Sequence, residues 1–128
     1  MGVNKLMTKQ AALQFFFSGF GMPAYPANNV PEDTIFPWLT YEAPTGFFGD
    51  EASSQVNIWY HTESEAIPNA KAEEIGKAIG QSGICLSCDD GWIWIKRGSP
   101  WCTPLNDETD QNIKRRMLNI TLEYLTVE

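Results

Sequence analysis

From Asn112 to Val127 the chain alternates with a period of two. Leu118, Ile120, Leu122 and Tyr124 fall on one side, and Asn119, Thr121 and Glu123 on the other. In an extended chain, residues i and i+2 share a face, so this run predicts a half-buried β-strand over 114–126 with one wet face. A dozen or more residues would reach roughly 40 Å, against about five or six residues in a common strand. It begins with Lys114-Arg115-Arg116. A strand that outlasts its own core reaches something else, and the expectation here is another subunit.

The rest of the chain supplies what such a strand must pair with. Phe36-Pro-Trp-Leu-Thr-Tyr-Glu42 reads as a strand over 36–42, and Gln55-Val-Asn-Ile-Trp-Tyr-His-Thr62 as an alternating strand near 54–62. Ile84-Cys-Leu-Ser-Cys88 and Trp92-Ile-Trp-Ile-Lys96 flank Asp89-Asp90-Gly91, which predicts a hairpin with strands at 83–88 and 92–97. Arg97 to Gln111 reads as a polar connection.

Two segments carry helical spacing. Leu13, Phe16, Phe17 and Phe20 recur at i, i+3, i+4 and i+7, with Thr8 as N-cap and Gly19 or Gly21 as the stop, giving a helix near 8–19. Ile67-Pro68 opens a second helix over 69–80, with Asn69 as a capping residue and Gly80 as its end. Its narrow apolar face is Ala72, Ile75 and Ile79, with Gly76 letting it sit close to the sheet. The proline-rich stretch Gly21–Pro37 reads as an ordered extended loop, and Ala43–Ser53 as a second loop. Two amphipathic helices need a sheet face to bury against. The fold class is therefore α+β, a mostly antiparallel β-sheet with two helices packed on it, in one domain over 1–128.

With 128 residues, 43% of them hydrophobic, the chain is long enough for one core and too apolar to be disordered. No apolar run approaches the roughly 20 residues of a membrane span, and Leu13–Phe20 lacks the flanks of a secretory signal, so an intracellular product is expected. A net charge of −7 argues against a DNA-binding module, and does not argue against a passage through which DNA slides without specific binding.

Cys85-Leu-Ser-Cys88 is a C-x-x-C in a strand, not at the helix N-terminus that a redox thiol uses. A zinc site would have to draw on Cys85, Cys88, Cys102 and His61. The cysteines read as small buried hydrophobes, with a thiol or zinc enzyme as the remote alternative. His61 is the only histidine, and the paired acids sit in turns or exposed helix, so no enzyme, metal or cofactor is expected. The aromatic load points to interfaces instead. In particular, Phe47-Phe48 lies in a Gly-rich acidic loop where the two rings cannot both reach one core: one can tuck back and the other meet a partner. The candidate interface residues are Phe47, Phe48, Lys96, Arg97, Trp101, Asp107, Glu108, Asp110, Lys114, Arg115 and Arg116. The basic ones are read as one edge of the chain meeting an acidic edge on a neighbouring copy.

The order of elements, with Thr8-Lys-Gln-Ala-Ala-Leu-Gln-Phe-Phe, Phe36-Pro-Trp-Leu-Thr-Tyr, Val56-Asn-Ile-Trp-Tyr, Ile93-Trp-Ile-Lys-Arg-Gly-Ser-Pro-Trp and Ile113-Lys-Arg-Arg-Met-Leu-Asn-Ile, resembles the tail-terminator and neck proteins of tailed bacteriophages. The resemblance covers nearly the whole chain. It implies a tail-terminator-like fold and a structural virion protein of the tail or neck, assembled in the host cytoplasm. It implies a homohexameric ring that caps the tail tube, ends its polymerisation and offers a surface to the head-tail connector. Its partners would be itself, the tube protein and the connector, or a head-completion protein. A head-completion or other tail-completion product is the neighbouring reading.

Overall fold

The computed structural model describes residues 7–44 and 46–127. The elements are α1 (Lys9–Phe17), β1 (Ala24–Pro26), β2 (Trp38–Tyr41), β3 (Glu51–His61), α2 (Ala66–Ile79), β4 (Ile84–Cys88), β5 (Gly91–Asn106) and β6 (Ile113–Thr126). The strands form one sheet in the order β1-β2-β3-β6-β5-β4. Only the β1–β2 pairing is parallel; the other four are antiparallel. The expected class, α+β with a mostly antiparallel sheet and two helices, is what the chain adopts.

β6 lies at the centre. It pairs with β3 from Glu51↔Glu123 to His61↔Ile113 and with β5 from Gly91↔Thr126 to Asn106↔Lys114. Its length is thus taken up by neighbours within the chain, which corrects the expectation that it outlasts its own core. Its even-numbered residues are buried from Lys114 to Thr126, and its odd-numbered residues stay half-buried on the other face. On the inner face Leu118, Ile120, Leu122 and Tyr124 meet Val56, Ile58, Ile93 and Ile95. Burying each such side chain contributes about 1.5–3 kcal/mol.

Both helices close this face. α1 packs against β4 and β1, the two edge strands of the sheet. The Asp89 amide donates to the Met7 carbonyl at 2.7 Å on one edge, and Gln14 Nε2 donates to the Ala24 carbonyl at 2.9 Å on the other. A helix can join both edges of a six-stranded sheet only if the sheet curls, and it forms a half-barrel around Leu13 and Phe17. α2 covers β3, β5 and β6. Its Gly76 sits under the Trp101 indole, 3.0 Å from where a Cβ would stand.

Several boundaries differ from the sequence reading. Thr8 does cap α1, its Oγ1 accepting from the Ala11 amide at 3.1 Å, but the helix ends at Phe17 and continues as a 3-10 turn to Phe20 before Gly21 at φ 80°. α2 starts at Ala66, with Ser64 Oγ accepting from the Ala66 and Ile67 amides. Asn69 is therefore inside the first turn and not a cap. β1 emerges from the proline-rich stretch because the Leu39 amide donates to the Pro23 carbonyl and the Ala27 amide to the Tyr41 carbonyl. β3 takes Glu51–Ser53 out of the expected loop. The expected polar connection after Arg97 is mostly strand: β5 resumes pairing at Cys102 after a bulge and ends at Asn106.

Candidate interaction surface

Residues 46–50 form a tight turn at the start of β3. The Phe47 amide donates to Asp50 Oδ2 at 2.8 Å, and the Asp50 amide to the Phe47 carbonyl at 2.9 Å. The Gly49 amide donates to the Tyr124 carbonyl at 2.8 Å, and the Tyr124 amide to the Asp50 carbonyl at 3.0 Å, which welds the turn to β6. Lys9 Nζ donates to the Gly46 carbonyl at 2.9 Å and lies 5.6 Å from the Phe47 ring centroid. Gly46 is pressed on the Tyr124 ring, whose hydroxyl donates to the Pro44 carbonyl. A side chain there would meet ring carbon at 2.3 Å. The turn is pinned at four points, and its two phenyl rings still face solvent, at 65% and 68% exposure. Neither tucks back, contrary to the expectation for one of them.

On the outer face a second aromatic row crosses the sheet. Phe36 and Trp38 are 4.5 Å apart between centroids, Trp38 stacks on Trp59 at 5.6 Å, and the Arg115 guanidinium lies 4.9 Å over Trp59. Trp38↔Trp59 and Trp59↔Arg115 are register partners, so the row follows from strand pairing. Arg115 Nε and the neighbouring Asn57 Oδ1 are buried without a hydrogen-bond partner. Arg115 makes no ion pair among the described residues. Sequence reasoning noted Trp59 and Arg115 separately; Phe36 and Trp38 joined them only once the register was known.

The other charged candidates separate into inner and outer groups. Arg116, at 1% exposure, points into the core under the first turn of α2. Its Nη2 pairs with Glu65 at 2.6 Å, its Nε donates to Asn69 Oδ1 at 2.8 Å, and its Nη1 donates to the Arg115 carbonyl. The hydrogen bond from Arg116 holds the Glu65 carboxyl below its ordinary value. Lys114 is buried on the same side and donates to the Gln111 carbonyl. These two residues do not form an exposed edge. Alternation sends them inward and Arg115 outward.

Lys96 bridges Glu123 at 3.2 Å and Glu51 at 3.4 Å over the Trp94 ring, and the Glu123 bond raises its pKa. Arg97 is exposed beside the bulge and makes no ion pair among the described residues. Trp101 is not a free contact residue: it lies half-buried on α2, its Nε1 donating to the Ala72 carbonyl at 3.0 Å. Asp107 closes its own turn, with Thr109 donating from both hydroxyl and amide and lowering its pKa. Asp110 accepts from the Asn112 amide and lies 2.9 Å from His61 Nε2, and both contacts lower its pKa, the amide more. Of the three acids in this loop, Glu108 is the exposed one.

The thiols diverge. In a strand, residues three apart face opposite sides, so Cys85 is exposed and Cys88 buried. That corrects the reading of both as buried hydrophobes. Cys102 is half-buried on β5, where burial pushes its thiol pKa up. No group of three metal-ligating side chains converges among the described residues. No helix among them is long and apolar enough to cross a membrane.

Compared with family models, with curated proteins and with solved structures, the chain matches none.

Proposed function

We propose that this chain is a structural ring subunit of a phage tail or neck, which caps the tail tube, ends its polymerisation and joins it to the head connector. The carrying observation is the pinned turn with Phe47 and Phe48 exposed. Apolar rings held in water by a stiff backbone cost free energy in the isolated chain, and a partner surface recovers it. The resemblance of the chain to tail-terminator and neck proteins supplies the kind of partner. The acidic balance is compatible with a ring whose passage lets DNA slide.

Charge also supports head-to-tail assembly. Arg97 and Arg115 lack a carboxylate among the described residues, and Glu108 projects from the loop that follows β5. Native mass spectrometry of the full chain tests the reading, with masses in multiples of six expected. In tails assembled with Phe47→Ser/Phe48→Ser, tubes of uncontrolled length are expected from a folded subunit. Normal tails from that variant, or a wild-type mass that never reaches six copies, overturn the proposal.

A further inference from the structure

We draw no further inference here: the strongest candidate, the aromatic row on the outer face of the sheet where the Arg115 guanidinium lies over Trp59 beside Trp38 and Phe36, carries none, because nothing in the structure shows what covers it.

Discussion

At the scale of single residues, the positions that matter most are those where a small change meets something that cannot move. Gly46→Ala drives a methyl into the Tyr124 ring, which the core and its own hydroxyl bond hold in place. A loss of about 1–3 kcal/mol, the usual range for overpacking, is expected in denaturant unfolding. Asn69→Ala leaves the buried Arg116 Nε without its acceptor, and about 1–3 kcal/mol should be lost there too. Glu65 contributes with a definite sign. Its folded pKa is depressed, so the Arg116 pair stabilises the fold above the ordinary glutamate value of 4.5 and loses that effect as pH falls through the lower, folded value. The stability gap between wild type and Glu65→Gln should be full at neutral pH and close in acid. A gap independent of pH would show that the carboxylate charge is irrelevant to it. The thiols should differ as their exposure does: a maleimide reagent modifies Cys85 in the native chain and spares Cys88 until unfolding.

At the scale of elements, β6 organises the sheet because it is bonded along nearly its whole length on both sides, whereas its neighbours β3 and β5 have only short second pairings. Its central amides should exchange slowest of all and only through global unfolding, whereas β1 and β4, each with one partner, exchange earlier. The same strand decides which charges can serve an interface. Reversing Arg116 would place a carboxylate in the core against Glu65, so a test of ring contacts must leave it alone. Arg97→Glu with Arg115→Glu changes only residues outside the core. That pair should keep the fold and weaken head-to-tail association, with wild-type association falling as salt rises toward about 1 M. A double variant that assembles like the wild type at low and high salt removes these arginines from the ring contact.

At the scale of the whole molecule, α1 ties together the two edges of the half-barrel, the strands farthest apart in the sheet order. Phe17, the last residue of that helix, is fully buried and stacks on Tyr41 at 5.0 Å. Phe17→Ala should cost about 3–5 kcal/mol and loosen both edges together. Loss of exchange protection on one edge only would mean that the helix does not couple them.

Local chemistry alone settled much of this protein. Period two made 114–126 a strand, period 3.6 with Thr8 and Gly80 placed the helices, and Asp89-Asp90-Gly91 made the hairpin, because each signal depends on near neighbours. Gly76 could likewise be read as a close approach, although not that Trp101 would be the group approaching. Alternation even implied that Arg115 and Arg116 face opposite ways. Which way faced the core was a tertiary decision: an inward arginine is tolerable only because Glu65 and Asn69, some fifty residues earlier, arrive above it on α2. The same holds for the extension of β5 past its bulge, whose polar residues pair with β6 through their backbones and not through their side chains. It holds too for the aromatic row from Phe36 to Arg115 and for the pinned turn, which Lys9 and Tyr124 hold from distant parts of the chain. Each joins segments whose separation in sequence carries no local signal, and only the closing of the sheet brings them together.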